Sequence, residues 1–361
     1  MAYDVMIENR TPFTTASYLQ IDGEGQEILL VIWSATFAAP TGENLELAED
    51  QAPIRFADEP MGDPAFSSTR YEADIATQKP SVDVIVNGSA YAPNGGTAQK
   101  VMVGLKVADI NKVLSVTGDR VWSFFRPSAP MPFRTMPIVY ERAYGGTNSK
   151  AQADMRNPVG VGYRGARSAD PGVRTEVANI EYPNKRIRRA SNHPPPAGFG
   201  VIGRAWTPRL GYAGSYDQTW LDSRWPLMPE DFDPRYNQAV PEDQQSRVIK
   251  GGELVELTNL TPNGLWIFHL PKIDVPLRFL YDDRIKQEDV KPDTILIEPD
   301  CYRVTVTGRA AVRTVRNAPR LRELVIGHVS AAWLMARRSG KRYINYRGGD
   351  GTLLNRPTYL L

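Results

Sequence analysis

Val82-Asp83-Val84-Ile85-Val86-Asn87 and, further on, Val101-Met102-Val103-Gly104-Leu105-Lys106-Val107 decide how this chain is read. In both runs apolar residues recur at every second position, the period that lines one face of a β-strand. Between them lies Tyr91-Ala92-Pro93-Asn94-Gly95-Gly96, whose Asn-Gly pair supplies the positive φ angles of a tight turn. A third run, Lys112 to Val116, follows Ala108-Asp109-Ile110-Asn111, so the reading is an antiparallel meander.

Working outward, Ile28 to Phe37 and Met136 to Arg142 are further strands, with Gly23 and Gly25 marking the turn before the first. Strand patterns return at Leu265 to Leu270, Val275 to Leu280, Thr294 to Glu298 and Cys301 to Thr307. One helix is expected over 320–338. Leu321, Leu324, Val325, His328, Ala332, Met335 and Ala336 stand at three- and four-residue spacing, Arg337 and Arg338 suit the last turn, and Gly340 ends it.

The middle differs. From Gly145 to Pro241, 22 of 97 residues are Gly or Pro, a density that breaks helices and interrupts strands. Phe199, Trp206, Tyr212, Tyr216, Trp220, Trp225, Phe232 and Tyr236 crowd the same span, and such aromatic content argues for order. The fold expected is therefore mainly antiparallel β, sandwich or barrel-like sheets with a long irregular insertion and one C-terminal helix. The parts are a β region over 1–144, the irregular span 145–250, and a β part with the helix over 251–361, all within one compact unit.

The 361 residues carry a formal charge of +2, and 42% are hydrophobic. A near-neutral chain gives no general pull toward nucleic acid or an anionic membrane. A single cysteine, Cys301, permits no intrachain disulfide and suits a reducing compartment. Met1 to Arg10 lacks the basic and apolar regions of a signal peptide, and no apolar run approaches the roughly 20 residues of a membrane span. The expectation is a cytoplasmic protein.

Chemistry is sparse. Gly160 to Gly165 and Gly198 to Gly203 spell the dinucleotide fingerprint, but neither has a strand leading in and a helix leading out. His193, His269 and His328 fall in separate contexts without metal-ligand spacing; the last two are read as core residues and Cys301 as a plain buried thiol. No cofactor is expected. Lys185-Arg186-Ile187-Arg188-Arg189 reads as a solvated patch or an acidic-partner contact. Asp217, Asp222, Glu230, Asp231 and Asp233, interleaved with Trp220 and Trp225, supply what a carbohydrate-active hydrolase needs, but Asp-Pro turns over aromatic packing are the favoured explanation.

Several blocks in order carry a resemblance. Tyr140-Glu141-Arg142-Ala143-Tyr144-Gly145-Gly146 is followed by Arg156-Asn157-Pro158-Val159-Gly160 and Pro195-Pro196-Ala197-Gly198-Phe199-Gly200. Then come Arg204-Ala205-Trp206, Pro208-Arg209, Ala213-Gly214-Ser215-Tyr216-Asp217, Asp231-Phe232-Asp233-Pro234-Arg235-Tyr236 and Pro241-Glu242-Asp243-Gln244. Over roughly residues 10 to 305 the chain resembles the bacterial family of domain of unknown function 2169. The resemblance implies a non-enzymatic adaptor or chaperone of type VI secretion, which binds a toxin effector or its spike-tip carrier and loads it on the spike. It brings no catalytic residues. The partner contacts expected are Trp206, Tyr216, Trp220 and Trp225 as anchors, with Arg209, Asp217, Arg224 and Asp231 orienting the partner. The alternatives are the hydrolase over 217–233 and a structural component of the secretion particle.

Overall fold

Along the strand Glu27–Ala38, Leu29, Val31, Trp33, Ala35 and Phe37 point to one side and Leu30 and Ile32 to the other, and all are buried. A strand covered on both faces reads as a continuous apolar run, and this one lies inside the largest sheet. The computed structural model describes residues 5–39, 44–123, 126–148, 150–163, 176–189, 191–314 and 319–341.

That sheet has the order Gln245–Ser246, Val82–Val86, Pro292–Glu298, Arg303–Arg313, Glu27–Ala38 and Thr14–Ile21, with Glu46–Leu47 added to the end of Glu27–Ala38. A five-stranded sheet runs Ile180–Glu181, Ile110–Thr117, Lys100–Val107, Leu254–Thr258 and Leu265–His269. One core cluster joins the first face of the large sheet to the inner face of the five-stranded one, where Val101, Val103, Leu105 and Val107 alternate as the sequence indicates. Leu277, Phe279, Leu324 and Ile326 of a third, four-stranded sheet join the same core. Among the described residues no sheet closes into a barrel. Among the described residues no helix is long and apolar enough to cross a membrane.

The meander is only half present. Lys100–Val107 and Ile110–Thr117 form the expected antiparallel pair. Val82–Val86 instead belongs to the other sheet, parallel to Pro292–Glu298. Asn94 and Gly95 do take positive φ, but in a 3-10 turn, Pro93–Gly95, that joins no hairpin. The region Met136 to Arg142 is a strand only over Thr135–Pro137, then a 3-10 turn over Tyr140–Arg142. By contrast the Gly23–Gly25 turn is a true hairpin. Asp22 Oδ1 accepts the amides of Glu24 and Gln26, each at 2.9 Å.

The helix expected over 320–338 is corrected. Leu321–Ile326 is a strand between Met6–Asn9 and Val275–Tyr281, and the helix is confined to Ala331–Arg338. A short apolar run satisfies both periods, and here both faces of Leu321–Ile326 are covered, which a strand allows. Gly327, at φ +101°, ends the strand, and Ser330 caps the helix by accepting the Trp333 amide at 3.1 Å.

The second face of the large sheet is covered by Ile54 and Ile75 on one part and by Tyr71, Val201, Ala239 and Val240 on another. Asp83 is the clip. It faces inward from its strand and takes Lys79 Nζ at 2.7 Å, Gln238 Nε2 at 2.6 Å and the Ala239 amide at 2.8 Å. Gln244 repeats the device, its Nε2 donating to the Val84 and Phe199 carbonyls, each at 2.8 Å. The irregular span is thus tied to the sheet by buried side-chain amides and ions.

Candidate functional site

The eight expected contact residues fall into two groups. Trp206 and Arg209 are only 7% and 2% exposed. Trp206 meets Tyr140 edge to face, with centroids 5.5 Å apart. Gly203 lies so close that a Cβ there would stand 2.8 Å from the Trp206 ring. Arg209 Nη1 donates to the Ile202 carbonyl at 2.7 Å and its Nε to the Tyr236 carbonyl at 3.1 Å, while Nη2 pairs with Glu72. Burial opposes the charge on Glu72, but attraction from Arg209, Lys79 and Arg204 outweighs it and holds the carboxyl below its usual range. Both residues are buried and hold neighbouring segments of the chain together. Packing and a buried countercharge claim the aromatic and the cation that the sequence reading assigned to recognition.

The other six build a surface knob between Gly214 and Asp233. Gly214 has φ +85°, and a Cβ there would stand 2.8 Å from Pro229. Asp231 folds the ends together, accepting the Ser215 amide at 2.9 Å and its hydroxyl at 2.7 Å. Those bonds hold the Asp231 carboxyl below its usual range. Asp217 caps a six-residue helix, Gln218–Ser223, by accepting the Trp220 amide at 2.9 Å. Trp220 is half-buried, donates Nε1 to the Leu227 carbonyl at 2.8 Å, and packs against Tyr216 with centroids 4.8 Å apart. Arg224 Nε donates to the Met228 carbonyl at 3.0 Å, and its guanidinium reaches the Gly23 carbonyl of the hairpin turn.

What this scaffold leaves outside is apolar. Tyr216 is 58% exposed, Leu221 51% and Trp225 65%. Asp222 and Glu230 are exposed on the same excursion, as is Glu24 on the turn beside it, giving the knob an acidic surround. Leu221 was missed in the sequence because a single leucine in a polar turn carries no periodic signal.

The carboxylates are engaged individually. Asp222 accepts Gln218 Nε2 at 2.8 Å, and Asp233 accepts the Arg235 amide at 2.9 Å and its side chain, which lowers the Asp233 pKa. Other sequence candidates are also corrected. His328 is an exposed loop residue 3.3 Å from Asp274, not a helix-face core residue. His269 does share a face with Leu265 and Ile267, but that face is turned outward. Cys301 is surface-exposed, its thiol pKa pushed up by partial burial and by Glu298. Gly198 to Gly203 is extended with no helix following, while Arg164 and Gly165 of the other fingerprint lie outside the described residues, as does the region 342–361. No cluster of three or more His, Cys, Asp or Glu among the described residues is placed to hold a metal ion.

A second constellation went unnoticed in the sequence. Lys112 is buried, with Nζ 2.8 Å from Asp243 Oδ1 and 2.7 Å from Gln244 Oε1, and Tyr182 donates to Asp243 Oδ2 at 3.0 Å. Burial lowers the Lys112 pKa to about 8. A lysine alternating with valine on a strand gives no hint of this.

Most motif blocks therefore serve as internal clips, and the exposed knob rests on them. The fold and this surface define a β-rich protein whose recognisable residues support an irregular excursion. The model of the family described as "Uncharacterized protein conserved in bacteria (DUF2169)" matches residues 24–309, and the chain belongs to that family. Searches of curated proteins and of solved structures found no match.

Proposed function

We propose that the chain is an adaptor that binds a type VI secretion effector, or the spike-tip carrier of one, and loads it on the spike from the cytoplasm. The reading rests on the family resemblance. The observation that supports it is the exposure of Tyr216, Leu221 and Trp225 on a knob whose backbone is already fixed by Asp217, Asp231 and Arg224. Aromatic anchors dominate the energy of protein interfaces, and a preset backbone reduces the ordering cost of binding.

Against the hydrolase reading stands the use of the nearby carboxylates. Asp217 and Asp231 shape the backbone, Asp233 is held by Arg235, and the pKa values of Asp231 and Asp233 are lowered. A glycosidase needs a carboxyl kept protonated. Co-purification of the tagged protein from its host, with mass spectrometry of what is retained, tests the proposal. One effector or spike-tip protein at comparable amount supports it; recovery of the chain alone, or with glycan only, overturns it.

A further inference from the structure

A cleft of about 410 Å³ opens where Tyr140, Tyr182, Lys185, Pro196, Pro208 and Asp243 meet. Five family blocks reach it, through Tyr140, Arg156, Pro195-Pro196, Pro208 and Pro241-Glu242-Asp243. Its floor holds an unused donor. The Tyr140 hydroxyl is buried and has no hydrogen-bond partner among the described residues. Neither oxygen of Asp243 serves it, since Lys112 occupies one and Tyr182 the other. Desolvation, together with the Asp243 charge, keeps Tyr140 protonated, so it offers a hydrogen to an incoming acceptor.

The apolar part of the lining is made by four prolines, Ile202 and the two tyrosines, rigid faces of the kind on which extended peptides dock, with Arg156, Glu242 and Asp243 among them. At the rim Lys185 begins an exposed basic loop. Lys185, Arg186, Arg188 and Arg189 are exposed, and none makes an ion pair among the described residues. Ile187, the one apolar residue of the run, is buried and pins the loop. An opposite charge is therefore wanted outside and an acceptor within.

We infer that this cleft binds an extended peptide that places a prolyl or aliphatic residue between the prolines, gives a backbone carbonyl to Tyr140, and flanks it with acidic residues facing the 185–189 loop. Glu242 and Asp243 line the cleft itself, so the acidic residues of the peptide lie outside it, on the side of the basic loop. The inference does not depend on the knob or on the adaptor reading.

Fluorescence anisotropy on the full chain tests it, using a fluorescein-labelled Glu-Asp-Pro-Leu-Pro-Asp-Glu peptide and a control with its acids replaced by lysine. The acidic peptide is expected to bind saturably and the basic one not. Lys185→Glu should weaken binding about fivefold or more, and Tyr140→Phe about three- to tenfold, the loss of one hydrogen bond. Tyr140→Phe should not lower the Tm, because it removes a buried hydroxyl that bonds nothing; a purely structural hydroxyl would show the reverse. Trp225→Ala should leave peptide binding unchanged. Equal binding of both peptides, no binding of the acidic one, indifference to both cleft variants, or displacement by a single-stranded oligonucleotide instead of unlabelled acidic peptide would overturn the inference.

Discussion

Asn157 Nδ2 donates to the main-chain carbonyl of Tyr140 at 2.8 Å, deep inside the protein and across 17 positions of sequence. The same nitrogen serves the Tyr144 carbonyl at 3.1 Å, and the Asn157 carbonyl accepts the Gly146 amide at 2.8 Å. One side chain thereby fixes the crossing of the Tyr140–Gly146 and Arg156–Gly160 blocks.

Asn157→Ala is expected to cost about 2–4 kcal/mol, because two buried bonds are lost at once and the Tyr140 carbonyl keeps only the Ala143 amide. Gly146→Ala should be at least as damaging: the backbone there has φ +94°, and a Cβ would run into the Gly160 carbonyl. Urea unfolding followed by tryptophan fluorescence checks both. A midpoint within error of wild type for Asn157→Ala would contradict this account.

Glu72→Gln leaves Arg209 and Lys79 buried beside a neutral partner. Breaking a buried pair costs about 3–5 kcal/mol, and the lower end applies, since Asp83, whose own pKa burial raises, is relieved of a neighbouring negative charge. The Glu72 pKa is depressed on folding, so its contribution is full above the ordinary value of 4.5 and is lost as pH falls further. The stability gap between wild type and variant should be constant from pH 6 to 7 and shrink below 4.5.

Lys112 runs the other way. Folding lowers its pKa from 10.5 to about 8, so the unfolded chain binds the proton more tightly between these values. Wild type should gain stability as pH rises from 8 toward 10, and Lys112→Met should lack that gain. At pH 7 the variant should lie within about 1 kcal/mol of wild type, since replacing a buried charge with a methionine is often neutral. Thermal melts across this range decide it.

Trp220 and Trp225 should separate cleanly. Trp225→Ala, at an exposed site, is expected to change stability by no more than about 0.5 kcal/mol yet weaken partner binding by about 2 kcal/mol. Trp220→Ala removes the Leu227 bond and the Tyr216 contact, and should expose 215–230 to limited proteolysis. Calorimetry with the co-purified partner and a protease time course give the two readouts.

These differences show where reading the sequence succeeds. Period two located Lys100–Val107 because a strand face is a local property, and Glu27–Ala38 showed as an apolar run. It misplaced Val82–Val86, whose neighbour Pro292–Glu298 lies two hundred residues away, and it cannot show that Asp83 on that strand faces inward. Leu321–Ile326 read as helix because six residues fit either period until both neighbouring strands are known. At the knob, Tyr216, Trp220 and Trp225 were legible by residue type. That Trp206 and Arg209 are buried was not, because burial depends on Tyr140 and Glu72, which come from elsewhere in the chain.

Glu27–Ala38 is matched to Arg303–Arg313 from Ala38 against Arg303 to Ile28 against Arg313. A nascent chain emerging from the ribosome therefore makes its most apolar strand first and waits for nearly three hundred residues before the strand beside it exists. Until then one edge has the Thr14–Ile21 hairpin partner and the short Glu46–Leu47 strand, while the edge that Arg303–Arg313 will take stays open. Such distant pairing makes folding late and leaves the growing chain open to mispairing. Translation stalled before residue 303 should yield a chaperone-bound, aggregation-prone product, so the protein's own synthesis is the stage at which it most depends on help.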